Sequence, residues 1–302
     1  MKKNPISIII ATYNGERFLA EQIESILLQD YPIDEIIVCD DNSTDNTNKI
    51  LDHYQSIGKI KWIKNEKRLG VIRNFKKAAS LAANGNYIAF CDQDDIWLSY
   101  KIKLQIEVLF ELEKKCNFNK PALVYSNLNL IDQNGNSINK SFWNEISHDN
   151  HKHCLSTILF GNFITGCTIL MNSKMLHFFS KMPENEILHD YWLGLISLTF
   201  GESKGIAEPL VLYRQHSSNV TYNIHKKKMS KNTLRLNGLR NIFKKNSYLQ
   251  EELKIATFFY SDFKNDLNRK QKIFFTLFNY SKNMPYLYKV ILRKLYFLFQ
   301  HF

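Results

Sequence analysis

Ile6-Ser7-Ile8-Ile9-Ile10-Ala11-Thr12-Tyr13-Asn14-Gly15-Glu16 is an apolar, β-branched run that stops abruptly in polar, turn-forming residues. A short isoleucine-rich run of this kind suits a strand buried on both faces, and such strands belong to parallel sheets covered by helices. Ile60 to Ile63 and the stretches Glu35 to Cys39 and Tyr87 to Cys91 repeat the pattern. Between them lie stripes at helical spacing: Phe18, Ile23, Ile26 and Leu27; then Ile50, Leu51 and Tyr54; then Val71, Phe75, Ala78, Ala79 and Ala82. Strand, helix, strand in alternation predicts an α/β fold with a mostly parallel central sheet flanked by helices.

Working outward, Leu123 to Asn127 reads as a further strand and Asp132-Gln133-Asn134-Gly135 as a hairpin turn. Gly161 to Met171 and Gly205 to Tyr213 read as strands on either side of a helix over residues 190–200. The motif-rich region then ends, so a catalytic domain is expected over 1–220 and a separate helical region over 221–302. Charge divides at the same place. Residues 221–302 hold 17 Lys/Arg against 4 Asp/Glu, whereas residues 1–220 hold 23 against 25. The basic region is also aromatic, as in Phe274, Phe275, Phe278 and Tyr280, and Tyr288, Leu292, Leu295 and Phe299 recur at helical spacing. Lysines mixed with amphipathic rings suit an anionic membrane surface. A basic helix packed on the catalytic domain is the alternative, and no nucleic-acid motif accompanies the charge. Five cysteines at 39, 91, 116, 154 and 167 lack paired CxxC spacing, which fits reduced thiols in a cytoplasmic chain. No signal segment and no spanning helix is predicted.

Ligands of wound sheets bind beyond the carboxyl ends of the strands. The residues just past those ends are acidic and specific here. Asp92, Asp94 and Asp95 place three carboxylates in four residues, and such a group repels itself unless a cation shares it. Oxygen ligands of this kind suit Mg²⁺ or Mn²⁺. Helix capping by Asp94, Asp95 and Ser99 is the competing explanation. Asp40, Asp41 and Asp45 flank Asn42-Ser43-Thr44, where either a cap with a turn, or a carboxylate accepting the imide N–H of uracil or thymine, fits the residues. Asp41 is the candidate for that contact, with Tyr13 stacking on the base. A lone Gly15 after the first strand excludes the glycine-rich phosphate loop of a nucleotidyltransferase. Asp190 fits either a helix cap or a general base. Arg214 and His216 fit contacts to donor phosphates, with a metal-ligand role for His216 as the second option. His148, His151 and His153 with Cys154 lack a second ligand pair and are not read as a zinc site.

Three ordered motifs, Ser7 to Asn14, Val38-Cys39-Asp40-Asp41-Asn42-Ser43-Thr44-Asp45, and Phe90-Cys91-Asp92-Gln93-Asp94-Asp95-Ile96-Trp97, resemble those of family 2 glycosyltransferases of GT-A fold. The resemblance continues through Thr165-Gly166-Cys167-Thr168, His189-Asp190-Tyr191-Trp192-Leu193 and Tyr213-Arg214-Gln215-His216, and looks like the bacterial rhamnosyltransferase-like branch. It implies that Thr12, Tyr13 and Glu16 line a nucleoside pocket with Asp41, and that Arg73 approaches the nucleotide. It implies further that Asp92 and Asp94 form the Asp-x-Asp motif, Asp94 on the metal and Asp92 on the donor or the metal's water shell. Asp190 matches the general base. The activity so implied is inverting transfer of a sugar, rhamnose from dTDP-rhamnose favoured, to a hydroxyl of a cell-surface glycan or lipid-linked acceptor. UDP-hexose or UDP-N-acetylhexosamine donors, and a non-catalytic nucleotide-sugar-binding protein, are the alternatives. Such acceptors lead to an expectation of a peripheral position at the inner face of the cell membrane.

Overall fold

The computed structural model describes residues 4–145, 154–184, 189–216 and 249–298. Contacts divide the chain into two units, Met1–His151 with Phe163–Arg214, and Lys152–Asn162 with Gln215–Phe302.

The first unit opens β1 (Ile6–Thr12), α1 (Leu19–Leu27), β2 (Glu35–Asp40), α2 (Thr47–Ser56), β3 (Lys61–Lys64), α3 (Val71–Ala79), β4 (Tyr87–Cys91). Each strand therefore hands the chain to a crossover helix, as the alternating patterns predict. Ile6, Ile8, Ile9 and Ile10 are all fully buried, so β1 lies between two covered faces. Leu19, Ile23 and Ile26 of α1, Leu51 and Tyr54 of α2, and Phe75, Ala78 and Ala79 of α3 supply the covering. Burying a Leu, Ile or Phe side chain stabilises the fold by about 1.5–3 kcal/mol each. The strands lie in the order β3-β2-β1-β4, and β1 pairs in parallel with both β2 and β4. Strand order thus reverses at β1, and a crevice opens between the carboxyl ends of β1 and β4.

The rest of the unit comprises β5 (Ile96–Trp97), α4 (Lys101–Lys115), β6 (Ala122–Ile131), β7 (Ser137–Asn139), α5 (Phe142–Glu145), β8 (Leu170–Met171), α7 (Lys174–Ser180), α8 (His189–Phe200) and β9 (Glu202–Arg214). The sheet continues β4-β8-β6-β9-β5, with β7 paired to β6 through the predicted hairpin turn at Asp132 to Gly135. Long ladders are parallel, and every antiparallel ladder has two registered pairs.

The strand predicted over residues 161–171 is the main correction to the elements. Only Leu170–Met171 pairs, joining β4 to β6, and a 3-10 turn occupies Gly166–Thr168. A Cβ on Gly166 would lie 2.3 Å from Nε2 of His189, so only glycine lets the turn pass this close to α8.

In the second unit α6 (Leu155–Ile158) is followed in sequence by a segment carrying Phe160, and the helices α9 (Gln250–Phe263), α10 (Arg269–Tyr280) and α11 (Tyr286–Leu298) complete it. Phe259 stacks on Phe275 at 5.1 Å, and Phe160 meets Phe278 and Tyr296 edge-on at 5.2 Å each. Asn268 and Gln271 form a capping box at the start of α10. No helix among the described residues is long and apolar enough to cross a membrane.

Candidate active site

The acidic turn Asp92-Gln93-Asp94-Asp95 leaves β4 at the crevice and leads into β5, which pairs with the end of β9. Helix capping by these acids does not occur: α4 begins at Lys101 behind Tyr100, with no side-chain cap. Gln93 reaches back across the crevice. Its Oε1 accepts the Tyr13 N–H at 2.8 Å and the Thr12 hydroxyl at 2.5 Å, and its Nε2 donates to the Tyr13 carbonyl at 3.1 Å. A Cβ on Gly15 would lie 2.6 Å from Gln93 Oε1, which is the physical need for glycine after β1.

Arg214 braces this turn from the end of β9. Its N–H donates to Asp95 Oδ1 at 3.0 Å and its Nε to the Asp94 carbonyl at 2.9 Å. Its remaining guanidinium nitrogens reach Glu21 at 2.5 Å and the Gln133 carbonyl at 3.4 Å, and the group lies 4.6 Å over the Phe18 ring. The side chain is only 3% exposed. All three guanidinium nitrogens of Arg214 thus have partners inside the protein, and the side chain braces the acidic turn.

Asp92, Asp95 and the Cys167 thiol bring ligand atoms within 4.8 Å of one another. Burial first, then the charges of Asp94 and Asp190, raise Asp92 to about 7. Burial, Asp94 and Asp92 push Asp95 well above the usual carboxylate range, against the Arg214 N–H and the Cys167 thiol. Asp95 Oδ2 is buried, and no N–H or hydroxyl donor reaches it. Beneath the turn, Lys101 is fully buried with Nζ 3.9 Å over Trp97 and 2.7 Å from Gln105 Oε1; burial pulls it down to about 7.

Asp190 stands in the first turn of α8, half-buried, its Oδ1 accepting the Tyr191 N–H at 2.6 Å. Its charge is felt at Asp92, so the carboxylates of residues 92, 94 and 190 share one neighbourhood. The wall behind it is His189, packed against Phe75 at 4.8 Å and Phe90 at 5.3 Å. Among the described residues neither His189 nitrogen has a hydrogen-bond partner, and burial pulls the imidazole down to about 4.

Residues 7–177, more than half of the chain, match the family model described as Glycosyl transferase family 2. The chain belongs to that family. Among its relatives, the Escherichia coli UDP-Glc:alpha-D-GlcNAc-diphosphoundecaprenol beta-1,3-glucosyltransferase WfgD is 36% identical over 130 residues, 43% of this chain and 47% of that protein. The chain thus covers about half the length of that relative. The dTDP-rhamnosyl transferase RfbG of Shigella flexneri is 32% identical over 226 residues, covering 70% of this chain and 72% of that one. The S. aureus TarS fragment 1-349 solved with UDP superposes with a TM-score of 0.54 at 18% identity, over 86% of this chain and 72% of that chain. The fold is GT-A.

Within this family 2 fold, the expected nucleoside residues divide. Asp41 is buried, and its carboxylate accepts the N–H of Leu69 at 2.6 Å and of Gly70 at 2.8 Å and the Asn65 amide at 3.1 Å. Tyr13 is half-buried, and the Arg68 guanidinium lies 4.0 Å over its ring. Arg68, to which no motif pointed, is therefore the cation at Tyr13. Arg73 instead pairs with Glu184 at 2.7 Å. Thr12 is 2% exposed and its hydroxyl is tied to Gln93. Glu16 accepts the N–H and amide of Asn46 at 2.9 and 2.8 Å, which holds the β1 loop to the start of α2. His216 is half-buried, two residues beyond β9. His148, His151 and His153 lie outside the described residues, and Cys154 is occupied at the start of α6 with Ser156 and Thr157.

Proposed function

We propose that this family 2 glycosyltransferase moves a sugar from a nucleoside-diphosphate donor to an acceptor hydroxyl with inversion, Asp190 taking the acceptor's proton. The observation that supports the proposal is that the Asp190 charge helps to raise Asp92, so the two carboxylates lie within electrostatic range of each other. As Asp190 removes the hydroxyl proton, the acceptor oxygen forms its bond to the anomeric carbon. The bond from that carbon to the donor phosphate oxygen breaks, and its electron pair leaves with the diphosphate. One base and no enzyme nucleophile means attack opposite the leaving group.

Asp92 and Asp94, with Asp95 beside them, suit a divalent cation. Burial and then the neighbouring charges raise Asp92, and a buried Asp95 oxygen lacks any N–H or hydroxyl partner among the described residues. Burial with the charges of Asp95 and Asp92 keeps the Cys167 thiol protonated, which leaves the carboxylates as ligands for Mg²⁺ or Mn²⁺. When bound, such an ion supplies Lewis-acid neutralisation of the departing diphosphate. Asp41 Oδ2 accepts one N–H and has capacity for a second, which supports a contact to a uracil or thymine imide, with Tyr13 stacking on the base.

The favoured donor is dTDP-rhamnose, in line with the name of the Shigella relative; a UDP-hexose or UDP-N-acetylhexosamine is the second choice, in line with the E. coli one. The acceptor is a hydroxyl of a cell-surface glycan or of a lipid-linked saccharide, used at the cytoplasmic face of the membrane by a peripherally bound enzyme. Thermal shift and diphosphate release across a panel of nucleotide sugars, each with Mg²⁺ or Mn²⁺, test the donor. Binding of every sugar nucleotide without release or product, with any acceptor, would leave the non-catalytic alternative standing.

A further inference from the structure

Two helices of the second unit carry apolar stripes that face solvent. On α10, Ile273, Leu277 and Tyr280 are 51%, 47% and 72% exposed, and they recur at four- and three-residue spacing along one face. On α11, Tyr288, Ile291 and Leu295 are 54%, 45% and 44% exposed at the same kind of spacing. An apolar groove of about 280 Å³ lies between the helices, lined by Ile273, Phe274, Leu277, Leu292, Leu295 and Tyr296, with Lys270 among its lining residues. Water-facing apolar surface of this extent marks a binding face.

Charge says what covers it. Residues 267–302 contain seven Lys/Arg and no Asp/Glu. Arg269 and Lys270 stand one turn before Ile273 on α10, Lys282 lies just past that helix, and Lys294 is next to Leu295 on α11; all four are exposed. None of them forms an ion pair with an acidic side chain among the described residues. A second copy of this face would bring like charges together. Residues 217–248 of the chain are a poor cover as well, since they hold Lys226, Lys227, Lys228 and further basic residues without one acid. Apolar stripes edged with uncompensated cations match an anionic bilayer, where rings and aliphatic chains enter the headgroup layer and lysines remain at the phosphates.

We infer that the α10–α11 face docks this protein onto an anionic lipid surface, with Ile273, Leu277, Ile291 and Leu295 entering the interface. The inference deepens the proposed membrane-borne acceptor, yet it concerns a surface whose residues belong to the second unit, so the two fail separately. The full chain is sedimented with vesicles of phosphatidylcholine alone or with about one-third phosphatidylglycerol, at low and high salt. Binding to the anionic vesicles that falls with salt is expected. Leu277→Glu with Ile291→Glu, both at exposed positions, should weaken it at least tenfold, and Arg269→Glu with Lys270→Glu should do likewise, each cation contributing on the order of 1 kcal/mol at such a surface. Circular dichroism and transfer to a water-soluble acceptor should be unchanged in both variants. Absence of binding to anionic vesicles, or binding that survives both pairs of substitutions, overturns the inference. So does a concentration-dependent dimer that Leu277→Glu with Ile291→Glu converts to monomer, since a second copy would then be the occupant. Loss of donor turnover with vesicle binding intact would count against the transferase proposal alone.

Discussion

Two strand ends in this molecule are equally rich in acid and physically opposite. After β2, Asp40 accepts the backbone and hydroxyl of Ser43, Asp41 holds three donors from residues 65–70, and Asp45 accepts Thr47 twice and the Glu16 N–H. After β4, Asp92 is raised to about 7 and a buried oxygen of Asp95 has no N–H or hydroxyl donor. Carboxylates engaged by donors hold loops; carboxylates buried beside one another favour a shared cation. The same residue type is thus tied mainly to backbone and side-chain donors after β2 and left beside like charges after β4.

The sharpest way to break this contrast is activity. Asp94→Asn, or Asp190→Asn, should lower transfer on the order of 10³-fold, the scale of lost charge stabilisation or of a lost general base, with unchanged circular dichroism. Near-wild-type turnover in either variant removes the catalytic reading of the second turn. Next in size is stability. Asp41→Asn replaces a carboxylate that accepts from Asn65, Leu69 and Gly70, and should destabilise by about 3 kcal/mol in urea unfolding, since buried donors lose their partner.

Asp92→Asn should act in the opposite direction. An acid raised in the folded state from 3.8 to about 7 contributes stability below its unfolded value and loses it as pH climbs between the two. The metal-free variant should therefore gain on wild type as pH rises from about 4 to about 7 and reach a plateau of about 4 kcal/mol, read from unfolding midpoints. A gain that is flat with pH would contradict the repulsion described. The smallest effect concerns the cation itself: Mn²⁺ should raise the melting temperature by a few degrees at pH 8 and by less at pH 5.5, where Asp92 holds its proton. Equal shifts at both values would mean that the ion binds elsewhere.

Particular residues show how far the chain could be read in advance. Strands β1, β2 and β4 were legible because burial on both faces leaves unbroken apolar runs, and Tyr87–Cys91 matches its predicted bounds. The run at residues 161–171 misled because apolar residues in a buried crossing segment look like a strand, and only Leu170–Met171 finds sheet partners. The ion-pair partners of Arg214 and Arg73 were not legible either. An arginine near a phosphate motif carries no local sign of its partner, and here the partners are Glu21 and Glu184. Lys101 gave no signal at all, since nothing in a lysine at a helix start says that Trp97 and Gln105 will enclose it.

Sequence alone determined the alternation of strands and helices, the acidic turns at the strand ends, and the uneven charge along the chain, because each depends on neighbours within a few residues. Tertiary structure alone decided which acids are satisfied and which are exposed to one another. That outcome depends on donors 24 to 29 residues away for Asp41 and 119 residues away for Asp95, and on the reversal of strand order that sets β1 against β4.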